Sequence, residues 1–293
     1  MALSLERKAT AIAGFVAFTM AIVKFVAGLV SGSMAVISSA IDSLLDMTMS
    51  LFNLYAVKTS EMNADDTFNY GRGKIEGIAA LVEGALIAFS GAFIIYQSAR
   101  NILERKTLES LESALAVMLC SATVTLLLVL FLRYVGRKTN SLIIRADLLH
   151  YKSDLYTNIG IILSLGLIAI NGWHIIDSLV SIAIAAFIIV SAYKIAKEGI
   201  MVLLDRAIEE PLLSQIIAVI NNVPNVRSYH YLRTRRSAKT YVVDVHLVFN
   251  DSILLKDAHA ASDFVESAIA ALIPEAKWLI TVHLDPYDDS INV

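Results

Sequence analysis

Apolar stretches about as long as a membrane-spanning helix recur through the first two thirds of the chain. A helix needs about twenty apolar residues to cross the hydrocarbon core of a bilayer. Six stretches approach that length, and they lie at 9–31, 34–57, 76–98, 113–133, 147–170 and 175–195. The first is followed by five others, so we interpret it as a retained span and not as a cleaved signal peptide. We therefore predict a six-span α-helical transmembrane domain over residues 1–206.

The composition agrees with this interpretation. Of the 293 residues 57% are hydrophobic and only 17% are charged, and the mean hydropathy is +0.66. Soluble domains seldom have such values. The net charge of −3 argues against a nucleic-acid partner. The single cysteine, Cys120, excludes an intrachain disulfide and a cysteine-based zinc site.

The residues after Ala207 have the pattern of a soluble domain. In "TYVVDVHLVF" the apolar residues alternate with others, which is typical of a β-strand with one buried face. The order of segments is helix, strand, strand, helix, strand. This order predicts a small α+β domain with an open, ferredoxin-like sheet over residues 207–293.

The distribution of basic residues predicts the orientation in the membrane. An even number of spans puts both termini on one side. Twelve flanking Lys and Arg residues fall on that side and three, Arg100, Arg105 and Lys106, on the other. The positive-inside rule therefore places both termini in the cytoplasm.

Two of the apolar stretches carry pairs of ionisable residues. Asp42 and Asp46 lie in the second stretch, and His150 and Asp154 lie in the fifth. Residues four apart share one helix face, and charged groups inside a bilayer usually face a cavity or a partner. If the two faces meet, three carboxylates and one imidazole form a tetrahedral set that suits Zn²⁺ or a similar divalent ion. The alternative is a polar contact between helices that binds no ion.

These motifs in combination resemble the cation diffusion facilitator family, in particular the bacterial zinc and iron efflux proteins. The resemblance rests on "DSLLD", "HYKSD", "YGRGKIEG", "LLDRA", "HYLRTRRSAKTYVVDVHL" and "HLDP". It implies a homodimeric antiporter of the bacterial inner membrane that exports Zn²⁺ in exchange for protons, with Cd²⁺ or Fe²⁺ as alternative cargo. It also implies that the protein has no enzymatic activity. Asp42, Asp46, His150 and Asp154 would hold the transported ion.

The resemblance also implies a second group of metal ligands in the tail. Each tail histidine alone is an ordinary surface or core residue by type. Together with one carboxylate they resemble the family's two-metal cytoplasmic site at the dimer interface, in which Asp285 would bridge the ions. The implied ligands are His230, His246, His259, His283 and Asp285.

Two further positions are interpreted from the same comparison of motifs, and a third, Glu83, from its place in an apolar stretch. Lys74 and Asp205 match an ion pair near the dimer seam, the alternative being pairing with lipid headgroups or water. Glu83, on the third span, either lines a vestibule or meets a polar neighbour.

The loop after the second span departs from the family. Asp65 matches the carboxylate of a third metal site, but Phe68 and Arg72 occupy the positions of its two histidines. Neither side chain can ligate a cation. We therefore predict no ion here, and a pairing of Arg72 with Asp65 or Asp66.

Two other functions remain open at this point. One is a membrane metal sensor whose sites are regulatory and which transports nothing. The other is a passive cation pore, although a pore requires weak, multiple sites for rapid exit of the ion. A single quartet of strong ligands favours a carrier.

Overall fold

The computed structural model describes residues 3–31, 34–104, 112–171 and 175–288. Arg105 and Lys106, which entered the prediction of orientation, lie outside these residues. The chain divides into two compact units, Met1–Ile200 and Met201–Val293. The division falls close to the predicted end of the transmembrane domain.

In the described residues of the N-terminal part of the chain there are six long helices. Each contains one of the predicted apolar stretches almost entirely, and most continue beyond it by a turn or more. Their bounds are α1 (Leu5–Ser31), α2 (Met34–Ser60), α3 (Ile75–Glu104), α4 (Glu112–Thr139), α5 (Leu142–Asn171) and α6 (Ile175–Leu203).

Among the described residues, four helices are long and apolar enough to cross a membrane, namely α1, α3, α4 and α6. The other two, α2 and α5, are the helices that carry the ionisable pairs. A helical transmembrane region is thus confirmed with four spans, and the spanning of α2 and α5 stays a prediction. Large apolar side chains such as Phe15, Phe89 and Phe187 are exposed on the helix surfaces. Lipid would cover such a surface.

The N-terminus of α5 is held by side chains from two other helices. The backbone N–H of Leu142 and the hydroxyl of Ser141 donate to the carboxylate of Glu76 on α3, both over 3.4 Å. A carboxylate at a helix N-terminus satisfies free N–H groups and complements the helix dipole. One turn further on, the guanidinium of Arg145 makes a two-pronged contact with Glu198 of α6. These contacts fix the helix that carries His150 and Asp154.

Glycines allow α3 and α6 to approach each other closely. A Cβ added to Gly199 would lie 2.6 Å from the carbonyl oxygen of Gly77 and 3.1 Å from the backbone nitrogen of Leu81. Because both neighbours are backbone atoms, neither can rotate away. Close approach of backbones through small residues is common where helices pack in membranes.

We predict that Gly199→Ala destabilises the protein, because overpacking of this kind costs about 1–3 kcal/mol. Gly136→Ala is the matched control, since its added Cβ would meet Ile144 at an ordinary 3.5 Å. Both variants gain the same helix propensity, so their difference reports the packing. The midpoint of thermal unfolding of the detergent-solubilised protein measures it. Equal midpoints for the two variants would contradict the role given to Gly199.

The second unit contains two helices and three strands in the predicted order. They are α7 (Glu210–Asn221), β1 (Ser228–Ser237), β2 (Thr240–Val248), α8 (Leu255–Leu272) and β3 (Lys277–Asp285). The sheet order is β1-β2-β3. The pair β1–β2 is antiparallel and the pair β2–β3 is parallel, because α8 connects the latter two strands. The predicted small α+β domain is confirmed.

One face of this sheet forms the core of the second unit. Alternate residues of β2 and the residue after it pack with apolar residues of α7 and α8. The buried members are Val243, Val245, Leu247, Phe249, Ile216, Ile220, Val265 and Ile269. The strand's alternation therefore places Asp244 and His246 on the opposite face, away from this core.

Candidate metal centres

The first candidate centre joins α2 and α5. The Nε2 of His150 lies 2.9 Å from Oδ1 of Asp46 and 3.8 Å from Oδ2 of Asp154. One ligand atom from each of the three residues lies within 4.8 Å of the others. An imidazole nitrogen and two carboxylate oxygens are ligands that Zn²⁺ accepts. We refer to Asp46, His150 and Asp154 as the membrane centre.

A buried hydrogen bond next to the membrane centre fixes the two helices to each other. Ser50 of α2 and Tyr151 of α5 are hydrogen-bonded through their hydroxyls over 3.0 Å. Both residues are buried. Ser50 follows Asp46 by one helical turn and Tyr151 follows His150 directly. The bond therefore holds the faces on which Asp46 and His150 lie, and it limits how far they can separate.

Asp42, the fourth predicted ligand, is not part of this group of three. It lies one helical turn from Asp46 and is exposed. It interacts electrostatically with Asp46 and with Lys24 of α1, and the Lys24 ammonium donates to Ser43 over 2.9 Å. Three ligands leave one corner of a tetrahedron open, which Asp42 or a water molecule would complete. Its role as a ligand stays a prediction.

The second candidate centre is built by the register of the sheet. His230 on β1 pairs with His246 on β2, and His246 is aligned with His283 on β3. The three imidazoles therefore form a row across the sheet, with ring centroids 5.0 and 4.6 Å apart. Asp285 follows His283 by two residues and so lies on the same face.

The carboxylate of Asp285 contacts all three histidines. Its Oδ2 lies 2.9 Å from Nδ1 of His246 and 3.2 Å from Nε2 of His230, and its Oδ1 lies 2.9 Å from Nε2 of His283. Use of both oxygens is the arrangement that a carboxylate bridging two ions requires. The side chains of His230 and Asp285 are 7% and 10% exposed, whereas that of His283 is 63% exposed. One side of the group is thus enclosed and the other is open.

His259, the fifth predicted ligand of the tail, lies apart from this group. It is on α8, its side chain is 70% exposed, and its Nε2 is 3.7 Å from Asp263 one turn along the same helix. Sequence reasoning missed Asp288, whose Oδ1 is 3.3 Å from Nδ1 of His230. The acidic run after "HLDP" was the signal for it. We refer to His230, His246, His283 and Asp285 as the cytoplasmic centre.

The predicted pair of Lys74 and Asp205 spans the two compact units, and it stays a prediction. Within the second unit, the carboxylate of Asp205 accepts a hydrogen bond from Arg235 over 3.3 Å.

Glu83 is completely buried and meets a polar neighbour, which was one of the two interpretations of this residue. The side-chain amide of Asn53 donates to Glu83 over 3.1 Å and to Asp147 over 3.3 Å. Sequence reasoning did not single out Asn53 or Asp147. Asp147 precedes His150 by three residues, so the helical spacing rule applied to the whole of α5 identifies it.

The loop between α2 and α3 is organised around Asp65 without any histidine. Arg72 donates to Oδ2 of Asp65 over 2.6 Å, while the backbone N–H groups of Thr67 and Phe68 donate to Oδ1. The Arg72 guanidinium also lies over the ring of Phe68, 4.2 Å from its centroid. The two residues that stand at the family's histidine positions therefore contact each other, and the predicted pairing of Arg72 with Asp65 is present.

These contacts determine how Asp65 responds to pH. The hydrogen bond from Arg72, followed by that from the Phe68 backbone, lowers the pKa of Asp65 below its ordinary value. A lowered pKa in the folded state stabilises the loop at neutral pH, and this stabilisation is lost only as the pH falls through that lowered pKa. Asp65 thus remains ionised throughout the neutral range.

We therefore predict that Asp65→Asn leaves the pH dependence of zinc flux unchanged between about pH 5.5 and 7.5, a range that brackets the ordinary His pKa. The rate itself should fall only modestly, because solvent and salt screen an exposed ion pair. Initial rates in reconstituted vesicles at several pH values measure both effects. A shifted pH profile, or an anomalous zinc peak at Asp65 in a soaked crystal, would show that the loop does bind an ion.

Comparison with known proteins connects both parts of the chain to one family. Residues 10–204 match the family described as the cation efflux transmembrane domain, and residues 208–287 match that described as the cytoplasmic domain of cation efflux proteins. The relatives include the cation-efflux pumps FieF of Salmonella paratyphi A and Salmonella agona. Each is 35% identical over 282 residues, which cover 96% of this chain and 93% of the relative.

Two solved structures are similar to part of the chain. One is the cytosolic domain of a cation diffusion facilitator family protein, with 24% identity, a TM-score of 0.24 and coverage of 26% of this chain and 89% of that domain. The other is the metal-bound C-terminal domain of the CzcD transporter from Thermotoga maritima. Its identity is 22% and its TM-score 0.25, and the match covers 27% of this chain and 92% of that domain.

Proposed function

Since the chain belongs to the cation efflux family, we propose that it exports divalent metal ions from the cytoplasm, Zn²⁺ foremost, in exchange for protons. The family resemblance inferred from the motifs is confirmed by the matches to both domains. The single observation that carries the choice of ion is the membrane centre, which brings two carboxylates and an imidazole together inside the helical region. We propose that these residues, with Asp42, hold the transported ion.

The ligand types favour zinc over harder ions. Imidazole suits Zn²⁺ and Fe²⁺, whereas sites for Mg²⁺ and Mn²⁺ are usually built from oxygen atoms. The ligand set of one nitrogen and two or three oxygens therefore supports Zn²⁺ as the main cargo, with Fe²⁺ and Cd²⁺ as further candidates. The name of the FieF relatives speaks of cation efflux without naming one metal.

The contact between His150 and Asp46 supports the exchange for protons. Their Nε2 and Oδ1 atoms lie at hydrogen-bond distance, 2.9 Å, so a protonated His150 would donate its Nε2 proton to Asp46 when no metal ion is bound. A metal ion needs the deprotonated forms of both ligands. Binding of the ion thus displaces this proton, and protonation from the other side of the membrane would release the ion.

We predict that Asp46→Asn or Asp154→Asn slows zinc flux about 100-fold or more, because loss of a ligand should cost at least the roughly 10–100-fold that loss of an outer partner costs a metal site. Each change keeps the shape of the side chain. Asp65→Asn is the matched control, since it makes the same chemical change in an exposed loop. Zinc uptake and internal pH are followed together in proteoliposomes.

The same assay separates the alternatives. An antiporter moves zinc and protons in opposite directions in a fixed ratio, a passive pore moves zinc without regard to the proton gradient, and a metal sensor moves nothing. Near-normal zinc flux in Asp46→Asn or Asp154→Asn would overturn the assignment of the membrane centre.

We further propose that the protein is a homodimer and that the cytoplasmic centre binds two zinc ions at the subunit contact. Asp285 offers one oxygen to each side of the group, which supports a bridging role. The position of His259 supports a role for a second subunit. Within one chain this residue lies exposed on α8, apart from the other ligands. In this proposal it completes the site of the partner. From the family resemblance we also propose Lys74 and Asp205 as an ion pair near the same seam.

The proposed orientation places both termini and the cytoplasmic centre in the cytoplasm of a bacterial cell, with the helices in the inner membrane. The surplus of Lys and Arg on one side of the spans supports this orientation.

We predict that the fragment 207–293 dimerises more tightly with zinc than with a chelator, because binding to the associated form alone shifts the equilibrium by mass action. The fragment has its own core. Sedimentation velocity measures the shift. Asp285→Asn should abolish it and His259→Ala should weaken it, whereas Asp263→Asn, next to His259 on α8, is the control. Identical profiles with zinc and with chelator would contradict a metal-linked interface.

A further inference from the structure

A second ionisable group lies inside the helical region, separate from the membrane centre. Glu83 on α3 and Asp147 on α5 are joined by the amide of Asn53 on α2. Their exposed fractions are 0% for Glu83, 1% for Asp147 and 0% for Asn53. Two carboxyl groups are therefore completely removed from solvent at the point where three helices meet. We call Glu83 and Asp147 the acid pair, and Asn53 its amide bridge.

The hydrogen bonding of this group is incomplete. Asn53 has two N–H groups, and it gives one to each carboxyl. The remaining oxygen of Glu83 (Oε1), of Asp147 (Oδ2) and of Asn53 (Oδ1) is buried and has no donor among the described residues. Three acceptors thus lack hydrogen atoms. A buried polar atom without a partner is uncommon in folded proteins, and a proton, an ion or a water molecule can satisfy it.

The group lies directly beside the membrane centre. Asp147 precedes His150 by three residues on α5, and Asn53 follows Asp46 by seven residues on α2, so each pair shares a helix face. Both acids interact electrostatically with His150, and Asp147 also interacts with Asp46 and with the Tyr151 phenol. Among the residues that the structure describes, these are the titratable groups that act on the acid pair. A change of charge at the membrane centre is therefore felt by the acid pair.

The chemistry of the group favours a proton as its ligand. Two buried carboxylates that are both ionised repel each other in a medium of low dielectric, and burial of each charge costs several kcal/mol. One proton removes one of these charges and supplies a donor for an acceptor that lacks one. A hard metal ion would need about six to eight oxygen ligands, and this enclosed group contains five oxygen atoms, of which three are not already hydrogen-bonded. The proton is the ion that fits.

We propose that Glu83 and Asp147, bridged by Asn53, form a proton-binding pair that holds one proton while the membrane centre is free of metal and releases it when metal binds there. This inference rests on the proposed proton-coupled function and names a site for one of the exchanged protons. In the release step the O–H bond of one carboxyl breaks, its electron pair stays on the oxygen, and the proton leaves to solvent. The two positive charges of the arriving ion stabilise the resulting pair of carboxylates.

The test counts the protons released per zinc ion bound. Zinc binding to the full chain in detergent is measured by calorimetry in two buffers with different heats of ionisation, for the parent protein and for Glu83→Gln. We expect the variant to release up to about one proton fewer, since an amide cannot give up a proton in this range. For this variant, the slope of log Kd for zinc against pH should be smaller by the same number of protons. The cytoplasmic centre contributes equally to both proteins and cancels.

A matched control comes from the same helix. Glu76→Gln makes the same change two turns away, at a carboxylate that caps α5, and it should leave the proton count at the parent value. Asp147→Asn replaces Glu83→Gln as the test if the latter does not fold, as judged by its thermal unfolding midpoint. A variant that only disturbs packing would lower affinity without lowering the proton count.

Two outcomes are kept apart by the vesicle assay. If the parent protein moves zinc without counter-flow of protons, the proposed exchange itself is wrong. If the parent shows counter-flow but Glu83→Gln and Asp147→Asn release as many protons per zinc as the parent, the exchange stands and the acid pair is purely structural.

Discussion

The contact between α2 and α5 is the interaction on which the membrane part of the structure depends. Each helix carries ionisable side chains that would be costly to leave unpaired in lipid. Meeting face to face, the helices satisfy them, because Asp46 and His150 share a hydrogen bond and Ser50 and Tyr151 share another. The other helices then support this contact. Glu76 of α3 and Glu198 of α6 both hold the first turns of α5.

The two candidate centres reach similar chemistry by different geometries. In the membrane centre the ligands follow the helical repeat, so that His150 and Asp154 lie one turn apart. In the cytoplasmic centre the ligands follow the sheet, where the register of three strands aligns His230, His246 and His283. The first arrangement joins side chains from two separate helices. The second is fixed by backbone hydrogen bonds, which suits a site that holds its ions in place.

The acid pair changes how the membrane centre is understood. A metal ion at Asp46, His150 and Asp154 would alter the electrostatic potential at the buried acids Glu83 and Asp147, both of which interact with His150. In the proposed exchange, protonation of the metal ligands and protonation of the acid pair are then linked. In the proposed exchange, proton coupling is thus a property of a connected buried network, in which the ligands are only one part.

The sequence alone determined the features that follow from short-range periodicity. Hydrophobic length predicted the helices, spacing of four paired His150 with Asp154, and alternation of residues identified the buried face of β2. The absence of histidine at Phe68 and Arg72 also predicted the ion pair with Asp65. Only the tertiary structure decided which helix faces meet, because contacts between distant segments depend on packing that no local pattern encodes. Packing separated Asp42 from its three companions, set His259 apart on α8, and joined Glu83 to Asp147 through Asn53.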